Sequence, residues 1–566
     1  MTTLAQRWPS DFPHQPGALP VRGRAGAVAS TDTLATQVGI DVLRDGGTAV
    51  DAAVAVAFAL AVVNPEAGNI GGGGFFLIRV GDGRVYAQDH RSVAPRAARP
   101  DMFWDADGGV TEESVVGHRA VAVPGSVLGL WEAHGRFGRV PWSRLVEPAI
   151  ALAAGFEIRP RFLSSLPPHI VEGLSRFSTS AGLFLVDGAP PTPGQLLRQP
   201  DLADSLRRIR DDGADGFYRG ETADRLVDEM RSGGGLITHA DLAEYSVAWR
   251  RPIKFSYRDH TVWSMPPSSS GGVTLAGTAH ALAERSLADL EWHGSEHVHL
   301  VVEAWRRAFA DRNHWLGDPD HVEVPMDRLL SPNYGAARGA SIDPSTASRS
   351  IDVGPGGEGL DSGGRPSAPR EGQHTTHVSV VDADGMAVSL TTTLNTWYGS
   401  KLVAAGTGVL LNNEMDDFTA RPGVPNFFGL VQGIANEIAP GKRMLSAMTP
   451  SLVTRPDGRL RLVVGSPGGA TIITTVFQVV SNVLDFDMSL SDSVAAPRIH
   501  HQHMPDRIDV EPRGLAAGVM HALEQRGHRV QVGDESWGDV EAIGVSPDGT
   551  LEAVADPRRG GAAGAL

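Results

Sequence analysis

The chain reads as a globular protein whose helix and strand signals agree with the α+β class, and three stretches carry those signals. His377 to Val381 and Met386 to Leu394 are two runs rich in Val, Thr and Ser. They are joined through Asp384-Gly385, a dipeptide that favours a tight hairpin turn. Thr33 to Arg44 has helical spacing and stops at Asp45-Gly46-Gly47, after which Ala49 to Val63 is almost wholly apolar. From about Pro124 to Leu330, amphipathic helical patterns recur between Gly and Pro breaks and read as scaffold.

Composition bounds the class further. The 566 residues are 41% apolar and 20% charged, ordinary for a folded protein with one extensive core, and the 67 glycines suit many tight turns. A formal charge of −16 without any Lys or Arg cluster argues against a nucleic-acid partner. With no Cys there is no disulfide, no thiolate nucleophile and no cysteine zinc set, so the redox compartment stays open. The opening M-T-T-L-A-Q-R-W-P-S has neither a basic leader nor an apolar core, so a cytoplasmic protein is expected; a truncated or mis-started N-terminus would look the same. Ala49 to Val63 carries Asp51 inside and closes at Asn64-Pro65, short of the ~20 residues a membrane span needs. It is expected to be a helix buried between layers, with no membrane segment in the chain.

Gly71 to Gly74 precedes Phe75-Phe76-Leu77-Ile78, a buried-strand pattern. No G-x-G-x-x-G opens a helix there, so close backbone packing is the better reading than a dinucleotide loop. The next strand, Val85 to Asp89, delivers His90-Arg91-Ser92 to a strand end. Five histidines, His297, His299, His500, His501 and His503, invite a metal reading, but no carboxylate or Cys spacing completes a site, and no metal is expected.

The stretch that organises the chain is Gln373 to Asp382, Q-H-T-T-H-V-S-V-V-D. Upstream, from about Asp343 to His374, the composition turns to Gly, Pro, Ser, Asp and Arg without any period, which reads as a mobile surface linker. A linker therefore ends, and a hairpin begins, at a Thr. Folding the hairpin about Asp384-Gly385 brings Thr393 and Asn395 beside Thr375. A Thr hydroxyl is a poor nucleophile without a base, and one solution is to make the Thr an N-terminus whose own α-amine takes the proton. That requires a cut between His374 and Thr375, which the hydroxyl can make by attacking the preceding carbonyl. The plainer alternative is that Thr-Thr-His at a strand start reflects β-propensity alone.

Seven stretches carry a resemblance: P-V-R-G at 20 to 23, G-N-I-G-G-G-G-F at 68 to 75, M-P-P-S-S-S-G-G at 265 to 272, Q-H-T-T-H-V-S-V-V-D at 373 to 382, L-N-N-E-M-D-D-F at 411 to 418, G-S-P-G-G at 465 to 469 and A-P-R-I-H-H-Q at 496 to 502. In this order they resemble the γ-glutamyltranspeptidases (γ-glutamyl transferases, glutathione hydrolases), N-terminal-nucleophile hydrolases made as one precursor. The resemblance implies a four-layer αββα sandwich, with a large subunit 1–374 ending in the linker at about 343–374 and a small catalytic subunit 375–566. It implies Thr375 as nucleophile, Thr393 as its orienting partner, and Gly468 and Gly469 as the oxyanion hole. Arg91 and Ser446 are then expected to hold the substrate α-carboxylate, and Asn395, Glu414 and Asp417 its α-ammonium. The substrates implied are glutathione and other γ-glutamyl small molecules, with water, amino acids or dipeptides as acceptors. The partner implied is the other cleavage product, in a heterodimer, and no cofactor is called for.

Two departures from the family pattern stand out. Ser446-Ala447 replaces a usual pair of serines, so weaker donor binding is expected. Pro425-Asn426-Phe427-Phe428-Gly429 aligns with a lid loop in which some relatives use a Tyr hydroxyl to bond the residue equivalent to Asn395. Phe428 has no hydroxyl, so a looser lid and a larger share of hydrolysis are expected. Ser92 stands where relatives often carry Glu and is given no role. Two rival readings stay open: an amidase of the same fold on another acyl group, such as a cephalosporin-type side chain or poly-γ-glutamate, and an unprocessed homologue that binds ligand without catalysis.

Overall fold

A computed structural model describes residues 19–107, 109–357 and 374–566. The opening stretch read for a leader, and linker residues 358–373, lie outside the described residues. Two seven-stranded antiparallel sheets form the centre. One runs in the order Ala562–Ala565, Gly26–Ser30, Thr376–Asp382, Ala387–Thr393, Gly73–Arg79, Val85–His90, Ala248–Arg250. The other runs Val21–Gly23, Leu551–Ala555, Glu541–Val545, Leu460–Gly465, Ser451–Thr454, His260–Ser264, Ile253–Tyr257.

Strand alternation separates the faces. Val28, Phe76, Ile78, Val378, Val380, Val388 and Leu390 share a core with the helices Thr33–Arg44 and Ala49–Val63. Their neighbours Ala27, Ala29, Phe75 and Leu77 join the core that holds Val453 and Val463 of the second sheet and the helices Gly271–Ala281, Ser295–Trp315 and Thr471–Leu484. The layers are therefore helix, sheet, sheet, helix, the αββα sandwich. Every residue of Ala49–Val63 is buried, which explains why it shows no polar face. Among the described residues no helix is long and apolar enough to cross a membrane.

Between the sheets lies a short polar layer. His377 Nδ1 is 2.8 Å from Thr391 Oγ1, Ser379 Oγ donates to the Glu541 carbonyl at 2.8 Å, and Ser389 Oγ donates to the Val464 carbonyl at 3.1 Å. Burial lowers the His377 pKa to about 3, so the ring, packed against Gly465 of the second sheet, is neutral and adds no buried charge between the sheets.

Two sequence expectations need correction. The linker begins later than Asp343. Ser350 is buried, its N–H donates to Asp506 Oδ2 at 2.7 Å, and its carbonyl accepts from His503 Nε2 at 2.7 Å; Gly356 N–H donates to Asp311 Oδ1 at 3.1 Å. Ser, Gly and Asp supply backbone and side-chain hydrogen bonds that need no period. The stretch 124–330 is also not all helical scaffold, since Ile253–Tyr257 and His260–Ser264 are an edge hairpin of the second sheet.

The four glycines are packing devices. A Cβ on Gly72 would lie 2.0 Å from the Thr393 carbonyl oxygen, and one on Gly74 would lie 2.4 Å from that of Thr391. Both contacts are to backbone, which has no flexible end to move. Gly72→Ala is predicted to lower unfolding stability by about 1–3 kcal/mol, as overpacking does, and to reduce activity by displacing Thr393. A variant with the wild-type melting curve would contradict this.

Candidate functional site

The strand ends of the first sheet that carry Gly73, His90, Thr376 and Thr393 lie together, because Thr376 pairs with Thr392, Thr393 with Gly73 and Gly74 with His90. This register places Thr375 Oγ1 2.9 Å from Thr393 Oγ1, which also accepts the Asn395 N–H at 2.9 Å. Thr375 has φ of +92° and Asn395 of +80°. For a β-branched residue that conformation is strained, at a cost of about 1–3 kcal/mol. Asn395 is held by donating through Nδ2 to the Asn413 carbonyl at 3.1 Å.

The residue before Thr375 is equally constrained. The His374 carbonyl accepts the Gly468 N–H at 3.1 Å, and its ring accepts the Trp397 N–H on Nδ1 at 2.7 Å. The ring packs among Trp397, Phe427 and Phe428, and burial holds its pKa well below the ordinary histidine value. Gly468 and Gly469 have φ of +136° and +57°, which favours glycine, and a Cβ on Gly469 would meet the Phe428 ring at 2.5 Å. Chemically, this is a hydroxyl next to a peptide carbonyl whose oxygen is already polarised by an N–H donor.

A small pocket opens beside Thr375. Arg91, Thr393, Asn395, Asp417, Ser446 and Gly469 line it with Thr375, so most of the residues expected from sequence come together. Gly468 adjoins through His374. Glu414 does not reach the wall: it is fully buried behind Arg91, pairs with Arg91 NH1 at 3.0 Å and accepts the Gly73 N–H at 3.1 Å. Arg91 also pairs with Asp417. Burial, with Asp417 close by, pushes Glu414 up to about 7 against the pull of Arg91, and burial raises Asp417 too.

The sequence profile described as gamma-glutamyltranspeptidase matches residues 35–566. The chain belongs to the γ-glutamyltranspeptidase family. It is 46% identical to a glutathione hydrolase proenzyme of Pseudomonas aeruginosa over 94% of this chain and 93% of that one. With a glutathione hydrolase proenzyme of Escherichia coli K12 it shares 43% identity over 95% and 91%. A solved cephalosporin acylase from Bacillus halodurans superposes with a TM-score of 0.82 at 26% identity, covering 99% of both chains.

Where this chain departs from the family pattern, the structure shows what surrounds the changes. Ala447 lies on the pocket wall next to Ser446. Phe428 is buried over Gly469 and against His374; its carbonyl accepts Gln502 Nε2 at 3.2 Å, and the Phe427 N–H donates to Asp416 at 2.9 Å. The loop is thus tied down by apolar packing and backbone bonds that sequence reasoning did not foresee. Arg312 on the pocket wall was also missed, together with Gln432, which it contacts. In E-A-W-R-R-A-F-A-D-R its charges look like a solvated helix face, yet Glu303, Arg306, Arg307, Asp311 and Arg312 are all buried.

His299, Glu303 and His528 lie close enough together to hold a metal ion. Their ligand atoms are already committed: His299 bonds His528 at 2.8 Å and the Asp343 carbonyl at 2.8 Å, while Glu303 pairs with Arg306 and Arg307. The donor set fits a structural network better than a cation.

The raised carboxyl of Glu414 makes a pH prediction. As pH falls through about 7 it takes up a proton, and the negative charge available to a substrate ammonium declines. KM for an α-amino substrate is therefore predicted to rise on the acid side, and Glu414→Gln to flatten that limb while raising KM at pH 8. An acid limb of KM unchanged in the variant would refute the assignment.

Proposed function

We propose that this protein is an autoprocessing γ-glutamyltransferase and glutathione hydrolase, with Thr375 as the nucleophile. One observation carries the reading: the Gly468 N–H is aimed at the carbonyl oxygen of His374 while the Thr375 hydroxyl is held against Thr393. Attack by Oγ on that carbonyl forms a C–O bond, and the oxyanion is stabilised by the Gly468 N–H. The C–N bond then breaks with the hydroxyl proton passing to nitrogen, and water hydrolyses the ester. The products are a large subunit 1–374 and a small subunit 375–566 that stay together as a heterodimer. The strained φ of Thr375 favours the cut.

The liberated α-amine, with a reference pKa of about 7.7–8.0, then serves as the base. Thr375 Oγ attacks the γ-carbonyl of the donor, and the Gly468 and Gly469 N–H groups take the oxyanion. The leaving amine departs with the proton, Cys-Gly if glutathione is the donor. Water, or the amine of an amino acid or dipeptide, releases the γ-glutamyl ester. Arg91 and Ser446 bind the α-carboxylate; Asn395 and Asp417 bind the ammonium, with the charge of Glu414 behind them. A glutaryl group has no ammonium to meet Asp417 and would forgo a charge-assisted hydrogen bond worth about 1.5–3 kcal/mol. That favours a γ-glutamyl donor over a cephalosporin-type acyl group.

Thr375→Ala is predicted to remain one band on a denaturing gel, whereas the wild type gives bands of about 40 and 20 kDa from the 59.8 kDa chain. Its turnover of a γ-glutamyl anilide should fall by about 10⁴-fold or more. An active, uncleaved wild type would remove the proposed base. Phe428→Tyr is predicted to raise transfer relative to hydrolysis by restoring a hydroxyl near Asn395; an unchanged product ratio would show that apolar packing of the lid is sufficient.

A further inference from the structure

Arg312 is the buried charge in this pocket that the mechanism above does not use. The helix Ser295–Trp315 carries it to the wall that also holds Arg91, Thr375 and Asp417. It is 1% exposed, and burial lowers its pKa to about 10. Nε donates to Ser270 Oγ at 3.0 Å, and NH1 donates to Asn313 Oδ1 at 2.8 Å and Gln432 Oε1 at 2.9 Å. All three acceptors are neutral. The opposite charge that acts on it is Asp417, which is already paired with Arg91. Its second amino nitrogen, NH2, has no hydrogen-bond partner among the described residues.

A desolvated guanidinium facing neutral acceptors is costly unless an anion completes it. Two further observations say which anion. Ser270, which accepts from Arg312, donates its own hydroxyl to the Ser446 carbonyl at 2.6 Å, so Arg312 and Ser446 flank one serine. The pocket wall also sets two cations, Arg91 and Arg312, beside one carboxylate, Asp417, and separated charges of both signs match a head group bearing one ammonium and one carboxylate.

We propose that Arg312 is a second cation for the α-carboxylate of the donor, acting with Arg91 where Ala447 offers no hydroxyl. The proposal rests on the γ-glutamyl reading above. It makes Arg312 a specificity determinant for donors that carry an α-carboxylate, since NH2 is left to donate to that carboxylate while Ser270, Asn313 and Gln432 hold the rest of the guanidinium in place.

The test compares L-γ-glutamyl-p-nitroanilide with 4-aminobutanoyl-p-nitroanilide, which has the same chain, ammonium and leaving group but no α-carboxylate. In Arg312→Gln, kcat/KM for the first should fall about 10- to 100-fold, mainly through KM, as loss of a charged hydrogen bond does. For the second it should change by less than about threefold, so the preference between the substrates collapses. Equal losses on both would make Arg312 a prop for Ser270 and Gln432 and overturn the proposal, as would no loss on either. If Arg312→Gln stays uncleaved, Arg312→Lys gives the reading: a smaller loss, still confined to the γ-glutamyl substrate, is expected, and an equal loss on both overturns it. Gln432→Ala, which removes a partner but keeps the guanidinium, should preserve the preference; a collapse there also overturns it. A wild type that does not turn over the γ-glutamyl anilide would sink the γ-glutamyl reading itself, whereas an active wild type with an unselective Arg312 variant sinks only this role.

Discussion

Antiparallel pairing of Thr376 with Thr392 is the constraint on which the rest of the site depends, because a strand slipped by one residue would turn every side chain to the opposite face. In the observed register the Thr375 and Thr393 hydroxyls meet at the sheet end, Val378 and Val380 face the helices, and His377 and Ser379 face the second sheet. The glycines at 71–74 defend the same register from the neighbouring strand, where carbonyl oxygens leave no room for a side chain. Stability and site geometry therefore come from the same contacts.

A second theme is the concentration of buried charge. The pocket gathers Arg91, Arg312 and Asp417, with Glu414 behind Arg91, and the helix Ser295–Trp315 buries further charged residues. Burial raises the carboxyl pKa values of Glu414 and Asp417 and lowers the pKa of Arg312, and close opposite charges offset the lost hydration. The compensation leaves an electrically divided cavity, and the proposed binding of a zwitterionic head group rests on that division.

Much of this was legible beforehand. Two alternating runs about Asp384-Gly385 identified the hairpin, and the apolar run at 49–63 identified the buried helix. The glycine run was readable as close packing because it failed every spacing a phosphate loop needs. The linker and the lid were read less well, for one reason: irregular segments such as 343–357 and 425–429 have no periodicity, so their burial through hydrogen bonds and aromatic contacts leaves no pattern. The strands at 253–264 were absorbed into a helical region for the related reason that short edge strands carry few residues to alternate.

Local order along the chain, by itself, determined the hairpin, the turn that closes it, the stop of the first helix and a threonine placed where a linker gives way to a strand. These follow from backbone sterics and from periods of 2 and 3.6, which act over a few residues. Only the tertiary structure decided that Glu414 stands behind Arg91 while Asp417 reaches the pocket, that Phe428 seals the glycine loop, and that Arg312 joins a site hundreds of residues removed from Arg91. Those outcomes depend on distance and desolvation between segments far apart in the chain, and neither quantity exists until the layers have packed.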